Sequence, residues 1–273
     1  MTERISRRQL EELSPTLSER DFKILAILRQ CRHLTTKQIQ RLYFESATTA
    51  LAGLKAANRN MNKLKGLELT NNLARRVGGI NAGSGSRIWH LTETGERLLR
   101  LGDGTARPRR RPHEPSSIFL KHTLAVAECF IQLTEICGGK GLELIKAEME
   151  PDCWRSYSHK GHLTALRPDM FTVTVCGEYE DRWFVEIDLN TEAPVTVVEK
   201  CRRYYDYYRS GLEQKEHEVF PLTVWIVPDE ARKESLTAHI REAFPKMPRI
   251  FIVITPDELE NLIRQGVEGA ALC

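Results

Sequence analysis

Residues 102–117 of this chain, GDGTARPRRRPHEPSS, carry no large apolar side chain. The stretch holds three prolines and the run Arg109-Arg110-Arg111. Such a segment has nothing to bury, and its prolines interrupt helices and central strands. It restricts the 273 residues to two packed regions joined by an exposed linker. The expected division is a domain over 1–101, a basic Pro-rich linker over 102–117 and a second domain over 118–273. With 41% hydrophobic and 28% charged residues overall, both regions can build a core.

The net charge of +3 conceals an asymmetry. Residues 1–113 carry 22 Lys and Arg against 10 Asp and Glu, a net +12, whereas residues 114–273 carry 18 against 27, a net −9. The basic front predicts a polyanionic partner, double-stranded DNA above all. Seven scattered cysteines form no CxxC or compact Cys/His cluster, so reduced thiols are expected rather than zinc or disulfides. The pair His159 and His162 reads as loop. No apolar run approaches the roughly 18 residues of a membrane span, and the N-terminus has no apolar signal core, so a cytoplasmic protein with no membrane partner is expected.

The front half reads as helical. Ser18 with Asp21, and Thr35 with Gln38, form capping-box pairs at the start of two helices. A third helix over 48–65 has Leu51, Leu54, Met61 and Leu64 as its buried stripe. Extended pieces follow at 73–77 and 87–91, separated by the glycine-rich GGINAGSGS, and Thr92 caps a fourth helix. Three helices, a hairpin and a helix are the winged helix-turn-helix order. A helix in the major groove reads base edges while cations meet phosphates. Asn58 and Asn62 are suited to bases, and Lys55, Arg59 and Lys63 to phosphate or guanine. Arg75, Arg76 and Arg87 lie on or beside the wing, and Arg109, Arg110 and Arg111 can follow the backbone. An ordinary charged helix, or a winged helix used for protein contacts, remains the alternative.

After the linker, helices at 117–137, 195–210, 229–244 and from 256 alternate with strands at 142–147, 170–176, 182–188, 222–227 and 249–254. This predicts an α/β domain on a mixed sheet. Asp169, Glu186, Asp188 and Lys200 are its candidate catalytic residues, the three acids also being candidate ligands for Mg²⁺. Clustered carboxylates hold a hard divalent cation that activates water for phosphodiester cleavage. With residues 177–181 as a symmetric turn, Asp169 falls on the opposite parity from Glu186 and near Asp188; a one-residue shift or a kink at Pro168 restores convergence. Lys200 can reach the acids from the next helix, with Tyr204 and Tyr207 on the same side. The alternative is a salt-bridge network in which Lys200 and Arg203 answer Glu186 and Asp188.

On the segments RDFKILAILRQCRHLTTKQIQRLYF, RIWHLTETGERLL, KHTLAVAECF, LRPDMF, WFVEIDLNTE and KCRRYYDYY, the chain resembles the replication-relaxation family of plasmids and integrative conjugative elements. The resemblance implies a winged helix followed by a domain similar to the PD-(D/E)xK nuclease fold. Asp169 and Glu186 then match the two acidic positions, Asp188 stands where the lysine is expected, and Lys200 is a relocated lysine. Glu128 matches a further acidic position on the first helix of that domain.

Three functions follow as expectations. One is a DNA-binding protein acting in the replication, transfer or control of a mobile element, with a nuclease-like second domain, active or inactive, and replication or conjugation proteins as partners. Another is a Mg²⁺-dependent endonuclease targeted by its winged helix. The last is a transcriptional regulator whose second domain forms a homodimer or binds a partner. The chain has no GxxxxGK[ST] phosphate loop and no His-hydrophobe-His cluster, which argues against an ATPase and a rolling-circle relaxase. Tyr204, Tyr205, Tyr207 and Tyr208 read as helix packing rather than as nucleophiles.

Overall fold

A computed structural model describes residues 5–73, 86–103, 115–139, 141–266 and 272–273. The chain is a mixed α/β protein that separates into two compact units, 1–131 and 132–273. The linker expected over 102–117 lies mostly outside the described residues. The division between units falls further on, inside one helix.

The first unit opens with α1 (Arg7–Leu13), a helix absent from the sequence reading, and a 3-10 turn. Next come α2 (Glu19–Cys31), β1 (Leu34–Thr35), α3 (Thr36–Tyr43), α4 (Ala50–Gly66), β2 (Thr70–Asn72), β3 (Ile88–Leu91), α5 (Glu93–Asp103) and α6 (Ser117–Cys137). Both expected capping boxes form. Ser18 and Thr35 accept from the backbone of Asp21 and Gln38, whose side chains accept from the cap residues in return. Thr92 accepts from Gly95 N at the start of α5. Ile24, Leu25, Ile27, Leu28 and Cys31 give α2 its buried face.

Of the two extended pieces, the second forms as Ile88–Leu91. A strand forms at Thr70–Asn72; of the piece expected at 73–77, residues 74–77 lie outside the described residues, as do 78–85 of the glycine-rich loop. The two-residue β1 completes a sheet of order β1-β3-β2. The buried stripe of α4 is Gly53, Ala57, Met61 and Leu64, while Leu51 is 61% exposed. Gly53 moves the stripe: a Cβ there would lie 2.7 Å from the Phe44 carbonyl oxygen, so this face presses directly on the chain beyond α3.

In the second unit, β4 (Leu142–Met149), β7 (Met170–Cys176), β8 (Tyr179–Ile187), β9 (Leu222–Ile226) and β10 (Phe251–Ile254) form a five-stranded sheet of order β10-β9-β8-β7-β4. The pairs β8–β9 and β9–β10 are parallel; β7 pairs antiparallel with β4 and β8. Parallel neighbours need long crossovers. These are supplied by α7 (Pro194–Ser210) with the short α8 (Leu212–His217), and by α9 (Glu230–Ala243). A 3-10 turn and α10 (Leu259–Gln265) close the chain.

A separate hairpin, β5 (Arg155–His159) with β6 (His162–Leu166), occupies the stretch read as loop around His159 and His162. Its turn is Lys160-Gly161, both at positive φ. The core gathers Phe171, Phe184, Tyr204, Trp225 and Phe251 between sheet and helices. Burial of one such large side chain contributes about 1.5–3 kcal/mol. All seven cysteines are free thiols, six of them buried. Among the described residues no helix is long and apolar enough to cross a membrane.

Candidate functional site

The turn between β7 and β8 decides how the acids meet. Cys176 pairs with Tyr179, leaving only Gly177 and Glu178 in the loop, and Gly177 takes a positive φ. A two-residue turn with glycine first suits the twist of a hairpin better than the five-residue turn expected from the sequence. The register runs to Met170↔Val185, so one further step sets Asp169 opposite Glu186. The odd shift reverses the parity of the symmetric pairing and puts both acids on one face. Asp169 Oδ2 also accepts from the backbone N–H of Ile187 at 2.8 Å.

Glu186 is completely buried. Lys200 Nζ on α7 donates to its Oε2 at 2.7 Å, and Tyr204 Oη, one turn on, donates to Oε1 at 2.6 Å. The Asp169 carboxylate acts on both Glu186 and Lys200, and a like charge beside a buried acid disfavours its ionised form. Burial is the main cause that pushes the Glu186 carboxyl up to about 8; the Asp169 charge adds to the shift and Lys200 opposes it. Burial alone would lower the pKa of Lys200, but Glu186 and Asp169 outweigh it and hold the amine protonated. Tyr204 enters the site as a residue that the sequence placed only near it. Tyr207 turns away, donating to Glu213 at 2.8 Å.

Asp188 is held elsewhere. Arg232 Nε on α9 donates to its Oδ2 at 2.5 Å, and the same guanidinium donates to the Glu192 carbonyl at 2.8 Å. Asp188 Oδ1 accepts from Asn190 N at 2.9 Å. The partner of Asp188 is therefore Arg232 and not Arg203. Sequence reasoning missed Arg232, although an arginine in the first turn of a helix, where the dipole disfavours cations, was a usable signal. Both acids of the E-x-D motif thus have an internal cation. Among the described residues no group of three or more His, Cys, Asp or Glu side chains is gathered to hold a metal ion. Of the expected Mg²⁺ ligands, Glu186 thus lies against Lys200 and Asp188 against Arg232.

Glu128 belongs to the first unit, where it accepts from Gln38 Nε2 at 3.1 Å and pairs with Arg41.

In the same unit, Lys55, Asn58, Arg59 and Asn62 follow one another at helical spacing on the side of α4 away from its buried stripe. Lys55 and Arg59 are exposed, with no ion pair among the described residues. Asn58 donates to the Leu54 carbonyl at 3.1 Å within its own helix, and Asn62 Oδ1 accepts from Arg87 at 3.1 Å. Lys63 leaves this group: it pairs with the buried Asp21 at 2.7 Å, where Asn60 also donates at 2.7 Å. Burial favours the protonated form of Asp21, but hydrogen bonds from Lys63, Ser18 and Asn60 outweigh it and lower its pKa to about 2. Arg75, Arg76, Arg109, Arg110 and Arg111 lie outside the described residues.

A family model described as Replication-relaxation matches residues 25–223. No curated protein and no solved structure matches the chain.

Proposed function

The chain belongs to the replication-relaxation family, and from that premise we propose that it binds double-stranded DNA in the replication, transfer or control of a mobile genetic element. The first unit acts as a winged helix-turn-helix, with α4 as the helix that enters the major groove. The observation that carries this reading is the outward stripe Lys55, Asn58, Arg59 and Asn62 on a helix whose opposite face is fixed by Gly53 and Asp21. Cations on that stripe neutralise phosphates while the amides face base edges.

The second unit is a nuclease-like scaffold that does not cleave. Asp169 opposite Glu186 retains the paired acids of a PD-(D/E)xK site, but Lys200, Tyr204 and Arg232 occupy the oxygens a metal would need. Incubating supercoiled plasmid with the protein and Mg²⁺ or Mn²⁺ tests this. Retarded but intact plasmid is expected. Nicking or linearisation that Glu186→Ala abolishes would replace this reading with a metal-dependent endonuclease.

A further inference from the structure

The second unit is acidic as a whole, yet one groove of about 430 Å³ on it is lined by Arg167 and Arg203 together with Ser156, Leu163, Thr164 and Ala165. It lies where the hairpin β5–β6 meets α7, and the Tyr157 hydroxyl of that hairpin donates to the Arg203 carbonyl. We propose that this groove binds phosphates of the nucleic-acid backbone, giving the second unit its own contact with DNA.

The charge distribution around the groove supports this. Arg155, on the hairpin itself, is committed to two carboxylates, Glu148 and Glu213, at 3.2 Å each. Arg167 and Arg203 are exposed, and among the described residues neither has a carboxylate partner. The acids flanking Arg203 on α7 are drawn elsewhere: Glu199 accepts from Arg202 at 3.1 Å, and Asp206 faces His159 at 3.9 Å. Arg167 Cζ lies over the Trp154 ring, 4.6 Å from its centroid, a contact with the ring face that does not use up the guanidinium N–H donors. Two guanidiniums beside two hydroxyls are the donor set that phosphodiester oxygens accept from.

The proposal rests on the chain being a DNA-binding protein, and the test separates the two. Binding of the full chain to a labelled duplex is measured across a salt series for wild type, Arg167→Gln/Arg203→Gln, Arg167→Lys/Arg203→Lys and Lys55→Ala/Arg59→Ala. Each phosphate contact contributes about 0.9 to the slope of log affinity against log salt, so the glutamine pair should flatten it by about 1 to 2. The lysine pair, which keeps the charge, should restore the slope. An unchanged slope in the glutamine pair, with weakened binding in Lys55→Ala/Arg59→Ala, overturns the groove and leaves the role of α4 standing. A lysine pair that fails to restore the slope also overturns it, because the loss then reports a distorted hairpin. Absence of wild-type binding overturns both readings. Trp154 is 36% exposed while Trp89, Trp183 and Trp225 are buried, so its emission reports on the groove. A response to inorganic phosphate without any change of slope assigns the groove to free phosphate and overturns the nucleic-acid assignment.

Discussion

Glu186 and Asp188 sit two residues apart and are neutralised from different helices, Glu186 by Lys200 on α7 and Asp188 by Arg232 on α9. Removing one partner of a buried pair leaves an uncompensated charge, so Arg232→Met should cost about 3–5 kcal/mol in chemical denaturation. The double variant Arg232→Met/Asp188→Asn should recover most of that loss; a cost equal to the single variant's would mean that Arg232 acts through packing alone. Glu186 gives a pH dependence. A carboxyl with a raised folded-state pKa binds its proton more tightly when folded. Its contribution is full below the unfolded value near 4.5 and is lost as pH rises through about 8. Stability should therefore fall across that window, and Glu186→Gln should flatten the fall. Asp21 has the opposite sign. Its lowered pKa gives about 2 kcal/mol above the unfolded value near 3.8, lost as pH falls through about 2. Lys200 was legible as a partner of Glu186, but the partners of Asp21 and Asp188 were not. Asp21 and Lys63 are 42 residues apart, and Asp188 and Arg232 are 44, separations at which no periodicity links two side chains.

Elements whose signals are local were read well. Ser18, Thr35 and Thr92 marked helix starts because a cap and its amide lie within three residues. Strand pairing was harder, since a turn's length sets the register of everything beyond it. The two-residue turn Gly177-Glu178 moved Asp169 from the vicinity of Asp188 to a place opposite Glu186. The hairpin β5–β6 escaped notice because its strands are short and largely polar, with buried side chains only at Tyr157 and Leu166. The position of α4 depends on an absent side chain at Gly53. Gly53→Ala would set a methyl 2.7 Å from a backbone oxygen, and overpacking of this kind costs about 1–3 kcal/mol. A lowered melting temperature is expected, and unchanged melting would show that α4 is not held by this contact.

Across the whole molecule, charge separates by region: the basic residues 1–113 have a net +12 and the acidic remainder a net −9. That asymmetry was visible in the sequence and supports the proposed DNA partner. What composition could not show was which cations are available. Lys63 resembles Lys55 and Arg59 in sequence, yet it answers the buried Asp21. The measurement that tests the central claim most directly is equilibrium binding of the full chain to duplex DNA at moderate salt, comparing wild type, Lys55→Ala/Arg59→Ala and Lys63→Ala. The account predicts wild-type binding that the first variant weakens at least tenfold at unchanged stability, about 1.4 kcal/mol or more. It also predicts that Lys63→Ala lowers stability much more than affinity. Equal affinity in wild type and Lys55→Ala/Arg59→Ala, or no wild-type binding, would contradict it.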